Sequence, residues 1–269
     1  MSSATATPTP HRGAQARPAF RALLRAERLR LFSTRSTWVV LMVGLALPGA
    51  FTAGFVFTIG KAGGVSLQDP QAVATVLSAG SAAALMATLI GVLSVTSEYR
   101  HRTASLSLVL AGRRDAWLLP KLCVTALTGL VLAAAAQAVV LAIGVPGLRS
   151  HGLAVSLTDG HLLRASLGTA SLGPFAALIG VGVGLLVRNQ LAAVAGTVVY
   201  TTLAESAFIN FVPAAGRYLI GGANAAVAQD PTIKHLVSVP LGYLLLTGWA
   251  LLTVAAGRFR LTREDVPSE

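Results

Sequence analysis

The chain has 269 residues, of which 54% are hydrophobic and only 12% are charged, and its mean hydropathy is +0.70. Globular domains carry roughly 25% charged residues, so this composition excludes a fully water-covered surface and favours an integral membrane protein. The net charge of +11 does not indicate a nucleic-acid partner, because the basic residues lie between apolar runs rather than on a soluble basic face. The single cysteine excludes an intrachain disulfide and a cysteine-cluster zinc site.

The N-terminal region divides into a tail and a helix. Residues 1–18 are polar, contain proline and lack the apolar core of a signal peptide, which predicts a disordered tail. Residues 19–36 predict an amphipathic helix in the membrane interface. Its apolar face contains Glu27, for which we expect either a local pair with Arg30 or a contact with a cytoplasmic partner. Another face carries Arg21, Arg25, Arg28 and Arg35.

Six apolar segments follow, each long enough to cross a hydrocarbon core of about 30 Å. We therefore predict an all-α integral membrane fold with six transmembrane helices. The second segment is rich in small residues, which predicts that it packs inside the bundle, and the fourth carries Gly180 and Gly184 at the spacing of a helix-packing face. In the third, Gln137 predicts an interhelical hydrogen bond in preference to a contact with substrate. The predicted spans are residues 38–59, 73–95, 122–145, 165–187, 191–211 and 237–256.

Glu205 is the only acidic residue inside a predicted span. A carboxylate in the membrane is costly, so this residue is a candidate for an intramembrane or outer-gate site. The segment that follows, residues 212–235, is half apolar and interrupted by proline and glycine. It predicts short re-entrant or interfacial helices on the outer side rather than another span.

The distribution of basic residues predicts the orientation. With the N-terminus inside, the inner segments hold 16 of the 21 Lys and Arg residues. This is a strong positive-inside bias, so we expect both termini in the cytoplasm, with residues 261–269 as a short tail. The segment of residues 97–121, between the second and third spans, is then cytoplasmic.

Motifs for catalysis are absent from the sequence. It has no G-x-x-x-x-G-K-[ST], H-E-x-x-H or G-x-S-x-G, so we predict no catalytic, cofactor-binding or metal-binding residue and no enzymatic activity of its own. His151, Asp159 and His161 share a predicted loop, but their spacing matches no compact metal motif. The sequence therefore predicts a membrane pathway but contains no motif that would supply the energy for transport.

The segment after the second span carries a family resemblance. It reads Glu98-Tyr99-Arg100-His101-Arg102-Thr103, followed by Ala111-Gly112-Arg113-Arg114 and Lys121. This resembles the E-[YFW]-R-x-x-T … P-x-R-R … K pattern of bacterial ABC-2 type transporter permeases, with Ala-Gly where many members have proline. The leader around Glu27 also resembles the segment that precedes the first helix in that family. The resemblance covers residues 19–260, which we take as one ABC-2 permease domain with the type V exporter-like topology.

The resemblance implies a mechanism. In this family the cytoplasmic loop holds a coupling helix that docks on a separate ATP-binding subunit, and two permeases work with two such subunits. The second permease is the same or a homologous chain, and ATP-Mg is held by the ATPase. The docking candidates carried over are Glu98, Tyr99, Arg100, His101, Arg102 and Thr103, with Glu27 beside them. Arg113, Arg114 and Lys121 are expected to anchor the loop to lipid headgroups.

We therefore expect the permease subunit of a bacterial plasma-membrane exporter for a hydrophobic or amphipathic compound, such as a drug, an antibiotic or a lipid. Two alternatives remain open from the residues. In the first, the chain is a proton-coupled carrier that uses Glu205. In the second, it is a membrane anchor or sensor that recruits a partner through residues 97–121 without any flux.

Overall fold

The computed structural model describes residues 20–61, 71–101, 103, 114–153, 155, 160–233 and 235–263. These residues form helices and short connections, with no strand among them. Both predicted tails, residues 1–18 and most of residues 261–269, lie outside the described part of the chain.

Six helical segments are long and apolar enough to cross a membrane, as predicted. A separate helix, α1, precedes the first of them, and two short helices, α9 and α10, precede the last. The elements are α1 (Phe20–Ser33), α2 (Arg35–Thr58), α3 (Ala72–Ser78), a 3-10 turn (Ala79–Ala82), α4 (Ala83–Arg100), α5 (Arg114–Ser150), α6 (Gly160–Val187), α7 (Gln190–Val199), a π-helical turn (Tyr200–Ala204), α8 (Glu205–Phe211), α9 (Pro213–Gly216), α10 (Ile220–Ala228) and α11 (Val239–Arg263).

The helices around the predicted cytoplasmic segment extend further than the apolar spans. Helix α4 continues to Arg100, and α5 begins at Arg114 and runs for 37 residues. Hydropathy detects only the part of a helix that matches the hydrocarbon core, so it misses polar turns beyond that core. The segment of residues 97–121 is therefore helical at both ends, and residues 104–113 lie outside the described part.

The second span lies in the middle of the bundle. Helices α4 and α6 pack so closely that a Cβ atom on Gly91 would lie 2.1 Å from the Ala177 carbonyl oxygen. A Cβ on Gly180 would lie 2.0 Å from the Thr88 carbonyl oxygen. These contacts confirm the predictions that the second span packs inside the bundle and that Gly180 belongs to a packing face.

We expect Gly180→Ala to lower stability because the new methyl group has no space against the α4 backbone. Forcing apart a well-packed contact typically costs about 1–3 kcal/mol. Gly196→Ala is the matched control, since no atom lies within 4 Å of a Cβ at this helical position. Thermal unfolding of the purified protein in detergent should show a lower midpoint for Gly180→Ala and an unchanged or higher one for Gly196→Ala. Equal midpoints for the two variants would contradict the close contact of α4 with α6.

The second span is interrupted near its start. The 3-10 turn Ala79–Ala82 separates α3 from α4, and Gln137 on α5 lies against this interruption. The Gln137 side-chain amide donates to the Leu77 carbonyl oxygen at 3.3 Å. This confirms the predicted interhelical hydrogen bond, which covers a carbonyl where the regular helix ends.

Candidate functional site

Four charged side chains meet where α1 crosses the end of the second span and the start of the third. They are Glu27 and Arg30 on α1, Glu98 on α4 and Lys121 on α5. We call this group the charge cluster. Two carboxylates and two cations give it no net formal charge, which limits the cost of holding charges away from water.

Lys121 is the centre of the charge cluster. Its ammonium nitrogen lies 2.7 Å from Glu98 Oε1, 2.8 Å from Glu27 Oε1 and 3.0 Å from the Ser94 carbonyl oxygen. An ammonium group has three N–H donors, and each has an acceptor here. The Lys121 side chain is 0% exposed, so no part of it reaches solvent.

The remaining cluster atoms are also paired. Arg30 donates to Glu98 through Nη1, and through Nη2 to Glu27 at 2.9 Å and to the Ser94 carbonyl oxygen at 3.0 Å. Trp117 Nε1 donates to the second oxygen of Glu98 at 3.0 Å. Burial lowers the pKa of the Arg30 guanidinium and the neighbouring Glu27 carboxylate raises it in part, but an arginine stays charged at neutral pH. The charge cluster thus joins α1, α4 and α5 through hydrogen bonds between charged groups.

Two predicted docking candidates belong to this cluster. Glu98 is 1% exposed and Glu27 is 11% exposed, so neither carboxylate is offered to a partner on the surface. The predicted local pair of Glu27 with Arg30 is confirmed. The expectation that Lys121 anchors the loop to headgroups is wrong, because its ammonium group is enclosed by acceptors from two other helices.

The other docking candidates lie just beyond the cluster. Arg100, His101 and Thr103 are exposed, and Tyr99 is half-buried. Arg102 lies outside the described residues. This end of α4 therefore presents cationic and polar groups outward while Glu98, one position before Tyr99, points inward.

The same end of α4 contacts the turn between the fourth and fifth spans. The Arg188 guanidinium lies 5.6 Å from the centre of the Tyr99 ring, and Arg100 Nη1 donates to Gln190 Oε1 at 3.3 Å. The turn is as short as predicted, because Arg188 takes a left-handed conformation (φ 56°) and Asn189 caps α7 by accepting from the Ala192 N–H at 3.0 Å.

An open depression lies between these two segments. It has a volume of about 640 Å³ and is lined by Tyr99, Arg100, Arg188, Asn189, Gln190, Leu191 and Val194. Its wall combines two cations with amide and aromatic groups. The exposed docking candidates are thus placed beside a concave surface that is formed by two separate parts of the chain.

An exposed ion pair joins the start of α5 to the end of the last helix, α11. Arg258 Nε lies 2.9 Å from Asp115 Oδ1, and its Nη2 donates to Oδ2 at 3.1 Å. The pair is exposed, so it contributes little to stability on its own. It does show that α5 is held by α11 as well as by the charge cluster.

Glu205 lies far along the chain from the cluster, at the start of α8. It is 3% exposed and accepts a hydrogen bond from the Gly221 N–H, in the first turn of α10. An acidic side chain at a helix N-terminus is stabilised by the unpaired N–H groups and by the helix dipole. The predicted short helices after the fifth span are present as α9 and α10, and Glu205 holds the second of them in place.

We expect Glu205→Gln to retain most of the stability, because the glutamine side-chain oxygen still accepts from Gly221. Glu205→Ala should lower the free energy of unfolding by about 1–3 kcal/mol, since it leaves the part-buried Gly221 N–H without its acceptor. Thermal unfolding in detergent measures both. Equal losses for the two variants would contradict the capping role and would indicate that the negative charge itself is required.

No protein-family model matches the chain, and no curated protein matches its sequence. Within the described residues, no group of three or more His, Cys, Asp and Glu side chains is placed to hold a metal ion.

Sequence reasoning missed the partners that make Glu98 part of a cluster. Lys121 and Trp117 lie 23 and 19 residues further along the chain, separated from Glu98 by a polar segment. One signal was available. A helix that begins at Arg114 brings Trp117 and Lys121, four residues apart, onto one face, with the aromatic ring one turn before the ammonium group.

Proposed function

We propose that this chain is the permease subunit of an ATP-driven ABC-2 type exporter in a bacterial plasma membrane. A separate ATP-binding subunit docks at the end of α4 and supplies the energy from ATP-Mg. Two permeases, identical or homologous, work with two ATP-binding subunits. The six apolar helices and the motif after the second span support the assignment.

The charge cluster is the observation that carries the proposal. A force applied to the exposed residues Arg100 and His101 acts one turn from Glu98, which is bonded to α1 and α5. The connection is short, buried and charged, so it resists separation of the three helices. Docking at one exposed segment would therefore move the second span, the third span and α1 as one body.

The cargo is a hydrophobic or amphipathic compound such as a drug, an antibiotic or a lipid. The described membrane-spanning segments present apolar surface and no concentration of charge suited to an ionic cargo. The chain carries no P-loop, so the energy must come from a partner if transport is active.

Export measured in cells tests this function. The chain is co-expressed with the P-loop ATPase that co-purifies with it, and efflux of a fluorescent amphiphile is followed. We expect efflux only when the ATPase keeps an intact Walker lysine. Efflux that survives the loss of every ATPase partner would overturn the proposal.

The proton-coupled carrier is distinguished by Glu205. A carrier that uses this carboxylate as its proton site loses gradient-driven transport in Glu205→Gln, whereas the exporter keeps ATP-driven transport because the α10 cap is retained. A membrane anchor or sensor, the remaining alternative, binds the partner through residues 97–121 but gives no flux in the same efflux assay.

A further inference from the structure

An apolar groove runs between α1, α2 and α5, on the side of α1 that faces away from the charge cluster. Its volume is about 710 Å³, within the range of roughly 300–1,000 Å³ that small-molecule sites occupy. Apolar residues of α2 and α5 form its interior, including Leu41, Leu45, Leu127, Val131 and Ala135. Leu127 and Val131 remain 62% and 60% exposed, so the interior is open to an occupant.

The rim of the groove is cationic. Arg21, Arg25 and Arg28 of α1 line it and are exposed. No acidic side chain among the described residues forms an ion pair with any of the three, because Glu27 is directed to the charge cluster on the other face of α1. Three arginines, spaced four and then three residues apart, thus share a single side of one helix above an apolar floor.

Trp38 marks the depth of the groove in the bilayer. It lines the groove, donates from Nε1 to the Phe32 carbonyl oxygen at 2.9 Å and packs on the Phe32 ring at 5.8 Å between ring centres. Tryptophan prefers the boundary between headgroups and acyl chains. The arginine rim therefore lies at headgroup level, and the apolar floor reaches toward the hydrocarbon core.

We propose that this groove is a binding site for an anionic glycerophospholipid of the surrounding bilayer. The phosphate and acidic headgroup bind Arg21, Arg25 and Arg28, and the acyl chains lie along α2 and α5. Arginine binds phosphate through two N–H groups at once. This paired contact is more selective than the general attraction of an anion to a positively charged surface. The lipid bridges α1 to the first and third spans, on the face opposite the charge cluster.

Native mass spectrometry of the purified protein in detergent tests the proposal, with added dioleoyl phosphatidylglycerol and dioleoyl phosphatidylcholine compared. Juxtamembrane arginines each contribute about 1 kcal/mol of attraction to acidic lipid, so Arg25→Gln with Arg28→Gln should weaken phosphatidylglycerol retention about tenfold or more. Arg35→Gln with Arg263→Gln removes the same charge from exposed positions outside the groove and should leave retention unchanged.

Cys123 locates the bound lipid, because the only cysteine of the chain lines this groove and is exposed. We expect added phosphatidylglycerol to slow maleimide labelling of Cys123 in the wild type and in the control double variant, but not in Arg25→Gln/Arg28→Gln. Ala135→Phe, which fills the floor, should reduce protection while leaving the arginines in place. Three results would each overturn the proposal. They are equal retention of the two lipids by the wild type, equal loss of phosphatidylglycerol retention in both double variants, and a rate of Cys123 labelling that added phosphatidylglycerol does not change.

Discussion

Lys121→Met should lower the free energy of unfolding by about 3–5 kcal/mol, because it removes one partner from a buried group of paired charges. The methionine fills a similar volume but leaves Glu27 and Glu98 facing one cation, Arg30, in a buried site. The Ser94 carbonyl oxygen also loses a donor. Thermal or denaturant unfolding of the purified protein, followed by tryptophan fluorescence, measures the loss.

A double substitution shows how much of the loss in unfolding free energy comes from the unbalanced charge and how much comes from altered packing. Glu98→Gln combined with Lys121→Met restores the balance between Glu27 and Arg30, so the pair should cost clearly less than the sum of the two single changes. Arg258→Met is the surface control, since it breaks the exposed pair with Asp115 and should cost less than about 1 kcal/mol. Additive losses at Glu98 and Lys121 would contradict the charge cluster.

Introducing negative charge at Arg100 and His101 should strongly reduce ATP-driven transport while leaving the fold intact. Both side chains are exposed at the proposed docking surface, and Arg100 has a single long hydrogen bond to Gln190. Removing one charged contact from a protein interface costs about 2–5 kcal/mol when that contact is buried on docking. Arg100→Glu with His101→Glu should therefore lower transport at least about tenfold, with unchanged thermal unfolding.

Glu98 is not suited to the same test. The family motif leads to the expectation that charge reversal at Glu98 or Arg102 uncouples ATP hydrolysis from transport without unfolding the spans. The buried position of Glu98 makes charge reversal there a poor test of docking, because Glu98→Lys would bring a third cation against Arg30 and Lys121. We expect that variant to fail to fold, whereas Arg263→Glu, an exposed cation at the end of α11, is the matched control for Arg100.

Much of the architecture follows from the sequence because the bilayer imposes simple rules. Length and hydropathy predict the six long helices, and glycine spacing predicts the close packing of α4 with α6. The predicted turn at residues 188–190 and the short helices after the fifth span follow from residues that favour helix starts, such as Asn189 before α7 and Pro213 at the first position of α9.

The charge cluster and the exposed end of α4 were only partly predictable from the sequence. Both depend on where α4 ends and where α5 begins, and these helix ends lie in polar sequence. The motif brought attention to residues 98–103, but it did not distinguish Glu98, which points inward, from Arg100, which points outward. That difference arises from the 100° rotation between successive helical residues and from the position of Lys121 on another helix. The arginine rim of the apolar groove could be predicted from the sequence as the arginine face of α1. The apolar floor of the groove could not, because it comes from α2 and α5.

Flux measured in proteoliposomes that contain the chain and its co-purifying ATPase tests the central claim most directly. We predict that a fluorescent amphiphile moves only with ATP and Mg²⁺, that Arg100→Glu/His101→Glu lowers this movement at least about tenfold, and that Arg263→Glu retains it. A proton gradient alone should drive no flux. Flux without the ATPase, or flux at the wild-type rate in Arg100→Glu/His101→Glu, would contradict coupling through the end of α4.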